Sequence, residues 1–130
     1  AGSVSSINYV KNGIAGMLEN VPREKLIGGV PFYTRLWTEA GDGTITSKAM
    51  GIAEEKRWVD NNQVELTWQA DTAQYYGEVQ TSDGAQFLWM EEERSLKEKM
   101  NVIRQNDLAG VACWKLGFED SAAWDSIQWN

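Results

Sequence analysis

The chemistry open to this sequence is narrow. It contains no His, which removes the commonest general base and the commonest metal ligand. Its single Cys, Cys113, has no partner for a disulfide, and no Ser–His or Cys–His nucleophile pair can form. Acid–base chemistry falls to carboxylates, and two groups of them stand out. Glu91-Glu92-Glu93 reads as the solvated N-terminal acids of a helix, where the helix dipole favours negative charge. Glu119-Asp120 follows the run Gly110-Val111-Ala112-Cys113-Trp114-Lys115-Leu116-Gly117-Phe118. The front of that run reads as a buried strand, and the acids lie just beyond its C-terminal end. In α/β proteins that end of a strand is where ligands bind. The indole of Trp114 is there either as a core plug or as a platform for a ring-shaped substrate.

The elements that must position these residues follow from periodicity. Ser3 or Ser5 caps a first helix of about 15 residues, with Ile7, Val10, Ile14, Met17, Leu18 and Val21 at helical spacing. Leu26 to Tyr33 reads as a buried strand whose pairing ends at Pro31, and Thr34 to Trp37 continues it. Asp42-Gly43 is a turn. Ser47 caps a second helix over 47–60, with Ile52, Ala53, Lys56 and Val59 on one face. Val64–Trp68 and Ala73–Gln80 alternate as half-exposed strands, and Ser82-Asp83-Gly84 turns into a third, Gln86–Met90. Glu91–Asp107 is a helix with Leu96, Met100 and Ile103 buried. A short helix starting at Glu119-Asp120-Ser121 carries Trp124, Ile127 and Trp129. The outer elements alternate as in a parallel α/β fold, but two strands cannot close a barrel. The chain reads as one piece of a larger α/β protein, and the missing Met at position 1 agrees with a processed or partial chain.

Composition excludes several partners. Net charge is −7, from 19 acids against 12 bases, with no basic stripe, which argues against nucleic acid and anionic membranes. No apolar run reaches membrane-spanning length, so no membrane span is expected. Seven tryptophans in 130 residues exceed what a core of this size needs. Such an excess accompanies stacking on sugar rings as well as core packing.

Four segments carry a resemblance to a known family. Val21-Pro22-Arg23-Glu24-Lys25-Leu26-Ile27-Gly28-Gly29-Val30-Pro31-Phe32-Tyr33-Thr34-Arg35-Leu36-Trp37 resembles the seventh barrel strand, and the turn before it, of family-18 glycoside hydrolases. These include chitinases and bacterial spore-cortex and cell-wall N-acetylglucosaminidases. Gly110–Asp120 resembles the eighth strand, Phe87–Leu96 the end of the family's α+β insertion, and Ala1–Asn20 the loop and helix after strand six. Thr34 stands where many chitinases have Gly.

The resemblance implies an α/β fold with an α+β insertion: the last two βα units of a (β/α)8 TIM barrel plus a small antiparallel domain. Residues 1–38 and 91–130 would be barrel segments and 39–90 the insertion domain. It implies cleavage of β-1,4 bonds beside N-acetylglucosamine, with one Glu as general acid and the substrate's own acetamide as nucleophile. That Glu ends a D-x-x-D-x-D-x-E motif, which these residues lack. No catalytic residue, metal or cofactor is therefore expected in this chain, and by itself it should be inactive. Trp114 would floor the sugar site, Tyr33 and Arg35 would bind substrate from the wall, and Trp37 would extend the aromatic surface. The implied partner is an N-acetylglucosamine-containing oligosaccharide, chitin or peptidoglycan, and the implied setting is bacterial and secreted, cell-wall or spore-associated. The rival reading is a non-catalytic carbohydrate-binding or protein-interaction module. Apolar faces left by two lone barrel strands would also favour self-association.

Overall fold

The computed structural model describes residues 1–129. Its first layer is built on a parallel strand pair. Helix α1 (Ile7–Leu18) buries Ile7, Val10 and Ile14. Its cap is Ser6, not Ser3 or Ser5, whose hydroxyl accepts the Tyr9 N–H at 3.2 Å. Strand β1 (Ile27–Pro31) then pairs parallel to β7 (Gly110–Trp114), with Ile27 opposite Gly110 and Pro31 opposite Trp114. Parallel neighbours need a long crossover, and here α3 (Glu93–Gln105) packs on β1 before the chain returns. Gly28 permits that approach, because a Cβ there would lie 2.5 Å from Ile103 Cδ1. Val30, Leu96, Met100, Ile103 and Leu108 form the core with Phe32 and Ile52. The strand expected to be buried is buried on one face only. Val111 and Cys113 pack on the core, whereas Ala112 and Trp114 alternate to the other face of the pair and are exposed.

The expected single strand from Leu26 to Trp37 is two strands in two sheets. Pro31 offers no N–H, the chain turns at Phe32, and β2 (Tyr33–Glu39) joins a separate five-stranded antiparallel sheet. Its order is β3-β2-β6-β5-β4, with β3 at Ile45–Gly51, β4 at Thr67–Gln69, β5 at Gln74–Thr81 and β6 at Gly84–Trp89. Residues 47–51 are thus strand, not the start of a helix. Strand β3 opens on the β-branched Ile45-Thr46 and pairs residue for residue with all of β2 across the Asp42-Gly43 turn, from Glu39 opposite Ile45 to Tyr33 opposite Gly51, and this pairing displaces the first helical turn. Helix α2 (Ile52–Asn61) begins only after Gly51. Val64–Leu66 is not strand, since Val64 and Leu66 instead pack over Gly77, where a Cβ would meet Val64 Cγ1 at 2.6 Å. Helix α2 covers one sheet face through Leu36, Met50, Leu88 and Met90, with Trp58 and Val59 against them. Helix α4 (Ser121–Ser126) is capped by Asp120.

Glu91–Glu93 correct the expectation of solvated acids. Glu91 is fully buried, and Lys99, 1% exposed, donates to both its carboxylate oxygens at 2.9 Å. Ser95 Oγ donates to it at 2.6 Å. Glu92 is the N-cap of α3 and forms a capping box with Ser95. Glu55, also fully buried, accepts the Glu91 N–H through Oε1 at 2.8 Å, while its Oε2 has no partner among the described residues. Burial pushes the Glu55 carboxyl well above the usual carboxylate range, against the pull of the Glu91 N–H.

Two outcomes follow from these buried charges. Lys99→Met leaves Glu91 without its counter-ion and should cost about 3–5 kcal/mol in denaturant unfolding, whereas adding Glu91→Leu should recover most of it. For Glu55, the folded chain keeps a proton that the unfolded chain releases, so this group's contribution to stability falls as pH rises from the ordinary carboxylate range through the raised value. Glu55→Gln keeps the acceptor for Glu91 N–H without that charge. Its melting temperature should gain on the parent's as pH rises above the ordinary carboxylate range, by a few degrees.

Candidate functional site

Strands β1 and β7 end together, at Pro31 and Trp114. On the face turned away from the core, Gly29, Pro31, Ala112 and Trp114 line an open hollow of about 310 Å3, rimmed by Val4, Ser5 and Tyr33. Gly29 and Ala112 supply the depth, since neither raises a large side chain from the sheet. Trp114 is 66% exposed in this chain, with its indole at the edge of the hollow. A flat apolar ring at the edge of a shallow hollow can receive another ring face.

No carboxylate lines the hollow. Its thiol, Cys113, is pushed above its ordinary pKa by burial, which makes it a poor nucleophile. The other acids singled out are occupied elsewhere. Glu91 and Glu92 serve the interior, Glu93 and Asp120 bind Lys56, and Glu119 accepts the Gly117 N–H at 2.7 Å. Among the described residues, no group of three or more His, Cys, Asp or Glu could hold a metal ion.

Tyr33, Arg35 and Trp37 alternate along β2 and so share one face of the five-stranded sheet. Only Tyr33 reaches the hollow with Trp114. Arg35 Nε donates to Ser47 Oγ at 2.8 Å on the neighbouring strand. Trp37 Nε1 donates to the Gly2 carbonyl at 2.9 Å, which ties the N-terminal segment to the sheet. The structure brings to this face residues not singled out from the sequence. Trp37 lies opposite Phe87, and Tyr76 opposite Trp89, so all four aromatics share the face that α2 does not cover. Tyr76 and Trp89 are 5.2 Å apart, and Phe87 and Trp89 6.1 Å, edge to face. Trp89 Nε1 donates to Gln69 Oε1 at 2.8 Å. The signal was present: Phe87 and Trp89 stand at period two, and the Ser82-Asp83-Gly84 turn sets their register against Tyr76.

Known proteins resemble this chain in sequence and fold. Over 124 residues the chain is 26% identical to the cortical fragment-lytic enzyme of Bacillus subtilis, covering 94% of this chain and 29% of that protein. It is 25% identical over 128 residues to the uncharacterized glycosylase YvbX of the same organism, covering 98% of this chain and 37% of that one. The chain thus spans about a third of these relatives' length. Among solved structures, a chitinase from Chromobacterium violaceum superposes with a TM-score of 0.88 at 21% identity, over 98% of this chain and 39% of that one. The Bacillus megaterium spore cortex-lytic enzyme SleL superposes with 0.87 at 23% identity, over 98% and 30%. These structures share the fold. The family described as Glycosyl hydrolases family 18 matches residues 3–119, nearly the whole chain, and the chain belongs to that family.

Proposed function

We propose that this chain is the C-terminal part of a bacterial glycosidase that hydrolyses β-1,4 bonds of N-acetylglucosamine-containing glycan, either chitin or peptidoglycan. The observation that carries the reading is the exposed Trp114 indole beside an open hollow at the C-terminal ends of two parallel strands. In this reading β1 and β7 are the last two strands of a (β/α)8 barrel, and the five-stranded sheet with α2 is the family's insertion. Parallel pairing, with a helix packed across the crossover, supports the barrel assignment.

Trp114 is then the floor on which a pyranose ring stacks, its C–H face against the indole. Tyr33 reaches the same ring from the wall. Arg35 and Trp37 follow along β2, with Phe87, Trp89 and Tyr76 widening the aromatic surface beside them. Protonation of the glycosidic oxygen belongs to a Glu outside these 130 residues, and the acetamide of the substrate completes the reaction. The chain alone supplies floor and wall and is inactive. The relative named a cortical fragment-lytic enzyme supports a bacterial setting that is secreted, cell-wall or spore-associated. No helix among the described residues is long and apolar enough to cross a membrane.

A second reading is a non-catalytic carbohydrate-binding or protein-interaction module, which the exposed Trp114 indole and the open hollow would serve equally well. An upstream D-x-x-D-x-D-x-E in the coding sequence decides for the enzyme, and its absence for the binder.

The shared core of both readings is testable. Titration with an N-acetylglucosamine oligomer should quench tryptophan fluorescence, and Trp114→Ala should weaken binding at least tenfold, about 1.4 kcal/mol or more. Unchanged affinity in that variant refutes the stacking role. The 130-residue chain should release no chromophore from a chromogenic N-acetylglucosamine oligomer, and measurable turnover would overturn its inactivity.

A further inference from the structure

Six residues separate Trp114 from α4, and they form neither helix nor strand. Their anchors come from the insertion side of the molecule. The Phe118 carbonyl accepts the N–H of Ile52, the first residue of α2, at 2.7 Å. Gly51, just before it, has no room for a side chain, since a Cβ would lie 2.9 Å from Phe118 O. The Tyr33 ring lies 6.0 Å from that of Phe118. At the far end of the segment, Asp120 divides its carboxylate. Oδ1 accepts the Ala123 N–H at 3.0 Å and caps α4, while Oδ2 accepts Lys56 Nζ at 2.5 Å. The same Nζ donates to Glu93 Oε1, also at 2.5 Å, at the first position of α3. One ammonium thus joins α2, α3 and α4.

We propose that Lys56 is a positioning residue, whose ammonium clasps Asp120 against Glu93 and thereby fixes the segment Lys115–Asp120 and the attitude of the Trp114 indole. The two carboxylate oxygens contact one nitrogen, so without Lys56 they are close neighbours of like charge. Losing the ammonium therefore replaces a tie with a repulsion, and the segment it held is the one that leaves Trp114. Burial works against charge on Lys56, but hydrogen bonds to Asp120 and Glu93 raise its pKa. Burial also pushes both carboxyls up, and Lys56 brings both below the usual carboxylate range. The clasp stays charged across the neutral range. The consequence for glycan rests on Trp114 being the sugar platform; the ordering of the segment does not.

The test pairs amide hydrogen exchange with a fluorescence titration using an N-acetylglucosamine tetramer. Lys56→Met should speed exchange at Gly117, Phe118 and Glu119 about tenfold or more, while exchange in β1 and the middle of α3 stays as in the parent. It should weaken tetramer binding about five- to tenfold, and Lys56→Arg, which can span both carboxylates, should restore both readouts. Asp120→Asn keeps an acceptor for the Ala123 N–H but not the charge, and should fall between parent and Lys56→Met. Unchanged exchange over 115–120 in Lys56→Met overturns the proposal. So does an equal rise throughout the chain, which would make Lys56 a general stabiliser only. If Lys56→Met loosens the segment while Trp114→Ala leaves tetramer affinity unchanged, the sugar-platform reading fails and the clasp stands.

Discussion

Glu91 sits where the chain leaves the antiparallel sheet and enters α3, with no water to solvate its carboxylate. An uncompensated charge there would be prohibitive, so everything around it is arranged to complete the pair with Lys99. The eight-residue separation brings Lys99 two turns along α3, back beside Glu91. Ser95 supplies a hydroxyl between them, and Gln74 brings an amide from β5, 3.4 Å away. Glu55 reaches in from α2 to hold the Glu91 N–H. Sheet, α2 and α3 are thus joined by polar groups that have no solvent to fall back on. An apolar seam could slide; this one has a single register.

That register has consequences at the other side of the molecule. Because α2 is held against α3, its first residue is delivered to the Phe118 carbonyl and its Lys56 to Asp120. Phe32 makes the complementary joint. It is fully buried at the turn between β1 and β2, donates its N–H to the Trp114 carbonyl at 2.6 Å, and meets Trp124 edge to face at 5.3 Å. The two sheets are therefore not loosely tethered units. The face of β2 and the end of β7 stand in a set relation, which is what a surface shared between them requires.

The chemistry is divided in the same way. The interior holds the acids with the strongest perturbation, and they serve structure. The hollow is lined by Trp114, Tyr33 and small or apolar residues, and no carboxylate among the described residues lines it. A strongly shifted carboxyl such as Glu55 would by itself mark a catalytic group, but its surroundings here are α2, the Glu91 backbone and no open space. Shift and solvent access have to coincide before a carboxyl can act on a substrate.

Much was legible in the residues themselves. The parallel strand runs, the helix of Leu96, Met100 and Ile103, and the Asp42-Gly43 and Ser82-Asp83-Gly84 turns all follow from local pattern and residue type. Trp114 and Tyr33, taken from their motifs, lie on one hollow; Arg35 and Trp37, from the same motif, lie beyond it on the same strand face. Local pattern misled where a partner distant in sequence decided the outcome. Ser47 has the chemistry of a helix cap, yet pairing with Trp37 makes it strand. Glu91 has the neighbours of a solvated acid, yet Lys99 and Glu55 enclose it. The sequence determined which segments were helix or strand by period, and what chemistry was absent. Only the tertiary structure decided which charges were buried, which aromatics shared a face and where β2 left its first sheet. Those outcomes depend on contacts between separate elements, such as Glu55 with Glu91 and Tyr76 with Trp89, and such contacts leave no periodic trace in the chain.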